Sequence, residues 1–273
     1  MSPSTPAASN TVLVTGASSG IGQATARLFA ARGARVFGTS RGERPDEPGV
    51  EMLPLDIRSA DSVRHCVQQV LARAGHIDVL VNNAGTMHEG FAEETTLAEA
   101  EAVFATNFFG TVRVVNAVLP GMRSRRHGRI ITVGSLAAWV GEPGEGFYAA
   151  SKAALARYIE ALHHETEHLG ITVCLVEPGA FTTNVVDAAS RATATIADYD
   201  GLRENAHDTL HASLRRGEAP RRAAALIVRI ANTRAPRLRY GAGREALWVP
   251  LITVLLPQRL VDRLIRRSFG LPR

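Results

Sequence analysis

Lysine is nearly missing from this chain. Of its 31 lysine and arginine residues only Lys152 is a lysine. Cysteine is scarce too: Cys66 and Cys174 lie too far apart in sequence for a disulfide framework, which excludes stapled secreted scaffolds and fits a reducing cytoplasm. The longest apolar run, Ala246 to Leu256, is broken by Pro250 and falls short of the roughly 20 residues that span a bilayer. Met1 to Asn10 has neither a basic region nor an apolar core and reads as a short disordered leader rather than a signal peptide. No internal repeat or low-complexity linker is present. The net charge of +5 comes from scattered arginines, which argues against a nucleic-acid partner. What remains, at 273 residues, is the composition of one globular domain with chain enough to bury a full core.

The lone lysine is where the chemistry starts. Tyr148 precedes it by four residues, so on a helix the phenol and the ammonium share a face. A free phenol titrates near ~10, and a fixed positive charge beside it favours phenolate. Lysine is a compact point charge with three rotatable donors, arginine a broad planar fork. A chain that writes arginine almost everywhere has kept the former here.

From Thr11 onward, short β-branched runs alternate with helical stretches. Strands are expected at Thr11–Thr15, Ala34–Ser40, Met52–Leu55, Asp78–Asn82, Arg129–Gly134 and Ile171–Glu177. Helices are expected at Ile21–Arg32, Ser59–Ala74, across Thr96–Leu119 and at Tyr148–Leu169. Strict alternation implies an α/β fold with a doubly wound parallel sheet, a Rossmann fold, whose ligands bind at the carboxyl ends of the strands. The first strand runs through Gly16, Ser18, Ser19, Gly20, Ile21 and Gly22 into a helix. Glycines permit a tight turn and close backbone approach, and the helix start offers free N–H groups to a pyrophosphate. Asn82-Asn83-Ala84-Gly85 ends the fourth strand, and Pro178-Gly179-Ala-Phe181-Thr-Thr183 the sixth.

With Asn107, Ser135 and the Tyr148-x-x-x-Lys152 pair, these motifs in this order resemble the short-chain dehydrogenase/reductase family over about residues 11–245. The resemblance implies an oxidoreductase interconverting a ketone and a secondary alcohol. Tyr148 would exchange a proton with the substrate oxygen, Ser135 would hold that oxygen, Lys152 would bind the ribose and lower the phenol pKa, and Asn107 would hold a relay water. It also implies a homodimer or homotetramer. At the end of the second strand Ser40 and Arg41 stand where an acidic residue would select the ribose hydroxyl, so NADP(H) is expected over NAD(H). Asp56 and Ile57 resemble the positions at the adenine edge.

A non-catalytic NADP(H)-binding sensor or scaffold is the alternative; an intact proton donor argues against it. His164-Glu-Thr-Glu-His168 spells a zinc-hydrolase pattern, but lies about 18 Å along the helix from Lys152 and lacks an evident third ligand. No metal is expected. Gly38-Thr-Ser40-Arg-Gly42 spells a nucleophile elbow without the helix that must follow it. Arg123 to Arg129 reads as a solvated basic loop. Leu136, Trp139, Val140, Phe147 and Phe181 suggest a pocket for a hydrophobic carbonyl or alcohol. Residues 184–217, polar and partly helical at Ala206–Arg215, are expected to form a lid. The extension 246–273 is amphipathic, with Leu260, Val261, Leu264 and Ile265 on one face. It is open to packing on the body, capping the pocket, a subunit interface, or rest on an anionic membrane surface. Its Arg239-Tyr240-x-x-Gly243 approach resembles the hydroxysteroid and retinol dehydrogenase branch.

Overall fold

The structure is a computed structural model that describes residues 10–183 and 189–271. The expected leader therefore lies almost wholly outside the described residues, as do residues 184–188 of the lid segment. In chain order the strands are β1 (Thr11–Val14), β2 (Arg35–Ser40), β3 (Val50–Pro54), β4 (Val79–Asn82), β5 (His88–Glu89), β6 (Gly128–Val133), β7 (Ile171–Pro178), β8 (Ser190–Arg191) and β9 (Arg239–Ala242). The α-helices are α1 (Gly20–Ala30), α2 (Ala60–Ala74), α3 (Leu97–Phe104), α4 (Thr111–Arg125), α5 (Gly146–Thr166), α6 (Asp200–Arg215), α7 (Pro220–Asn232), α8 (Val249–Leu255) and α9 (Gln258–Ser268).

Seven strands form one parallel sheet in the order β3-β2-β1-β4-β6-β7-β9. The β-branched runs alternate their side chains across it. Leu13, Leu80, Ile130 and Val173 enter a core with α2, α4 and α5, while Val12, Val14, Val81, Ile131 and Val176 enter a second core with α1 and α7. Burial on both faces is why these strands carry so few polar residues. Cys66 and Cys174 are free, buried, and on opposite sides of the sheet. The continuous helix Leu97–Arg125 is long and apolar enough to cross a bilayer. Its residues Val114, Val115, Val118 and Met122 are spent in the first core.

Besides the two-residue strands β5 and β8, a helix and a strand of the main layers escaped the sequence reading. α7 closes the second core, and β9 adds the seventh strand beside β7. The basic run is exposed from 123 to 127, as expected of a solvated loop, but two of its arginines are held by carbonyls. Arg125 donates to the Ile77 carbonyl at 2.6 Å, and Arg129, inside β6, reaches the carbonyls of Ile230 and Ala231 at 2.5 and 2.6 Å. That places a guanidinium on the carbonyl end of α7, where helix dipoles favour positive charge.

Candidate active site

The sheet order reverses between β1 and β4, and the strand ends there open onto a cleft of about 730 Å3. Its floor is the joint between two sequence motifs. The Asn83 side-chain amide donates to the carbonyls of Thr15 and Gly16, both at 3.0 Å. In return the Thr15 hydroxyl accepts the backbone N–H groups of Asn83 and Ala84, also at 3.0 Å. Gly22 stands against this joint: a Cβ there would lie 2.2 Å from the Gly16 oxygen and 2.3 Å from the Asn83 amide. Gly16 itself turns with φ +66°, a region side chains avoid.

Every residue expected to hold the dinucleotide lines this cleft except Gly22, which shapes the floor from behind. At one end Ser40 donates its hydroxyl to the Gly42 carbonyl, next to an exposed Arg41. Asp56 is held below the usual carboxylate range by its hydrogen bond to Arg58, with Arg41 adding to the effect. Arg58, which the sequence reading missed, lies 2.7 Å from the Asp56 carboxylate and lines the same end. Ile57 turns inward, 6% exposed, against the backbone at Gly110. The residues present fit a dinucleotide: a glycine cradle at a helix start, then two guanidinium groups at the far end.

At the other end Tyr148 and Lys152 project from α5, and Ser135 caps the short 3-10 turn Leu136–Ala138. The Ser135 hydroxyl accepts from the Ala137 N–H at 3.1 Å and also bonds the Tyr148 phenol. The Lys152 ammonium sits 5.8 Å from the centre of the Tyr148 ring and donates to the Val133 carbonyl at 3.3 Å. Burial pushes the phenol up to about 12, against the Ser135 hydrogen bond, and pushes the ammonium down to about 8. The expected lowering of the phenol by Lys152 is therefore not met in this arrangement. The ammonium is turned to a backbone carbonyl, and desolvation outweighs a charge at that distance.

Asn107 sits in the π-helical turn Ala105–Gly110 that joins α3 to α4. Its side-chain oxygen accepts from the Thr86 N–H at 2.8 Å, and its amide donates to the Thr86 carbonyl at 2.9 Å and the Ser151 hydroxyl at 3.0 Å. With those bonds made the side chain braces the strand end beside Gly85, and it does not line the cleft. Trp139 and Phe147 do not line it either. Trp139 instead bonds Glu177 at 2.9 Å beneath the Arg239 guanidinium. Leu136, Val140 and Phe181 do line the cleft, joined by Leu210, Leu214, Trp248 and Val249.

Glu142 and Glu145 also face the cleft and were missed, though both stand just before Tyr148 in sequence. Burial raises both carboxyls; the hydrogen bond between them opposes the rise at Glu142, while the Glu142 charge adds to it at Glu145, and no cation pairs with either among the described residues. The segment above them is fastened. Arg203 of α6 grips the buried Glu94 at 2.6 Å, and Glu89 of β5 takes His207 at 2.8 Å and His211 at 2.9 Å. Among the described residues that last trio is the group close enough to hold a metal ion. His164 and His168 lie elsewhere, exposed, with His168 beyond the end of α5.

The short chain dehydrogenase family model matches residues 10–194, the part of the chain that carries the glycine turn, Asn83, Asn107, Ser135, Tyr148 and Lys152. The chain belongs to this family. It is an oxidoreductase of the short-chain dehydrogenase type, on a Rossmann fold. A 3-ketodihydrosphingosine reductase of Bacteroides thetaiotaomicron is 39% identical over 95% of this chain and 98% of its own length. The 3-oxoacyl-(acyl-carrier-protein) reductase FabG of Escherichia coli is 38% identical over 65% of this chain and 76% of its own. A solved short-chain dehydrogenase from Streptomyces avermitilis superposes with a TM-score of 0.83 at 32% identity, covering 98% of this chain and 100% of the other.

Proposed function

We propose that this chain is an NADP(H)-dependent reductase of a long-chain ketone, with Tyr148 as the proton donor. The observation that carries this reading is the convergence of Tyr148, Ser135 and Lys152 at one end of a cleft whose other end fits a dinucleotide. When bound, the nicotinamide supplies the hydride. The chain's own residues do the rest. Ser135 orients the ketone oxygen, and Tyr148, still protonated at neutral pH, hands its proton to that oxygen as charge develops on it. Lys152 holds positive charge beneath the ring and loses it as pH rises through about 8. Reduction should therefore show an alkaline limb near that pH.

Arg41, with Arg58 beside it, supports NADP(H) over NAD(H), since guanidinium matches a 2′-phosphate in charge and geometry. The printed names of both relatives share a ketone at the third carbon of an alkyl chain. Leu136, Val140, Leu210 and Leu214 offer apolar wall for such a chain. Glu142 and Glu145, facing the cleft beside Tyr148 without a cation, favour a substrate with an amine next to the ketone over a thioester. Buried free thiols suit a reducing cytoplasm.

The test is NADPH oxidation with 3-ketodihydrosphingosine and with a 3-oxoacyl thioester. Turnover of the amino ketone that disappears in Tyr148→Phe is expected. A variant that still reduces it at the parent rate would remove the mechanism, and a preference for the thioester would remove the substrate assignment.

A further inference from the structure

The described residues expose eleven large apolar side chains, and eight of them fall in one short stretch: Leu247, Trp248, Leu251, Val254, Leu255, Leu256, Leu260 and Leu264. Leu71, Leu97 and Phe109 are the scattered remainder. α8 buries none of its residues, and Leu251, Val254 and Leu255 are 57%, 68% and 72% exposed. Single exposed leucines are ordinary on protein surfaces; a contiguous set is a binding face.

α9 divides its circumference three ways. Val261, with Phe269 just beyond the helix end, turns inward at 5% exposure each. Leu260 and Leu264, one turn apart, face outward. Arg259, Arg263 and Arg267 flank them at the same helical spacing, and none of the three has an acidic partner among the described residues. From Ala246 to Leu271 the chain holds four arginines and one acid, Asp262, whose carboxylate accepts from Gln258 at 2.9 Å. The helix is tied to the lid rather than loose: Thr209 of α6 donates to the Ser268 carbonyl, and Gly270 packs against Asn205. The same apolar ridge starts at the rim of the cleft, since Trp248 and Val249 line it.

We propose that the outer face of α8 and α9 seats on an anionic phospholipid bilayer and holds the cleft mouth at the lipid surface. Leucines at the acyl boundary with arginines reaching back to headgroups are the pattern of an interfacial helix. Charge decides against a second copy. A two-fold contact would press this arginine set against itself with one aspartate per chain to offset it, whereas an anionic bilayer complements it. The seat itself does not depend on the reductase reading. Delivery of a lipid ketone through the cleft mouth rests on that reading.

The experiment is sedimentation of the full chain with phosphatidylcholine vesicles, with and without phosphatidylglycerol. Expected is binding to the anionic vesicles that weakens with added salt and drops about tenfold or more in Leu251→Glu/Leu255→Glu and in Arg259→Gln/Arg263→Gln/Arg267→Gln. Trp248 provides a second readout. The other tryptophan is fixed by Glu177 and Arg239, so a blue shift on vesicle addition belongs to Trp248. Both variants should melt with the parent and reduce a water-soluble ketone at its rate, because none of the substituted residues lines the cleft. No binding to anionic vesicles, binding that the variants leave intact, or a dimer that Leu251→Glu/Leu255→Glu dissolves would each overturn the proposal. Vesicle binding in a chain that reduces no lipid ketone would sink the functional reading and leave the seat standing.

Discussion

At the dinucleotide end of the cleft the walls are backbone and small residues: Thr15, Gly16, Gly22, Asn83 and Ala84 lock together with bonds near 3.0 Å, and a single added methyl finds no room. At the substrate end the walls are long side chains that meet across great sequence distance. Arg203 bonds Glu94 over 109 residues, and His207 and His211 reach Glu89 over 118 and 122. The first construction tolerates no variation in geometry, so it fixes one cofactor class. The second can change residue by residue while the frame stays put, which is how a fold keeps its chemistry and exchanges its substrate.

The comparison can be broken at several points. Tyr148→Phe carries the largest effect: turnover should fall about 10²- to 10⁴-fold with dinucleotide affinity, followed by fluorescence titration, unchanged. Arg41→Asp should weaken NADPH binding by about tenfold or more and NADH binding far less, because it removes a charge-assisted contact to one phosphate. Equal loss for both cofactors would refute the NADP(H) assignment. Glu94→Gln belongs to the other end. It should speed hydrogen exchange in α6 and raise KM for the ketone while leaving dinucleotide affinity alone.

The smallest effect is on stability. Burial raises the Glu142 and Glu145 carboxyls, so the folded chain keeps a proton the unfolded chain has already released. Stability present below the ordinary carboxylate range is then lost as pH climbs toward the raised value. Glu145→Gln should flatten the melting temperature against pH and lift it on the alkaline side.

The same contrast explains what the sequence could show. β1, β4, β6 and β7 are β-branched runs because both faces of the sheet are buried, and the glycine turn and Asn83 are tied to fixed spacings by steric need. Both were therefore readable. β9, with Arg239-Tyr-Gly-Ala, buries only Ala242 and is a strand because β7 offers it an edge. β5 and β8, two residues each, exist only as partners for each other. His207 and His211 share a helix face by their four-residue spacing, but no spacing links them to Glu89, or Arg203 to Glu94, since the chain must fold before those groups meet. The roles implied for Asn107 and Lys152 depended on which neighbours claim their polar atoms, and only coordinates name Thr86, Ser151 and Val133.

Lys152 has one more use. A protease that cuts after lysine has a single bond to attack in the whole chain, between Lys152 and Ala153, a third of the way along α5 and 6% exposed at its lysine. Scission into two fragments can occur only while α5 is open, so a simple gel would count the openings of the catalytic helix. A dinucleotide held against that lysine should slow the count.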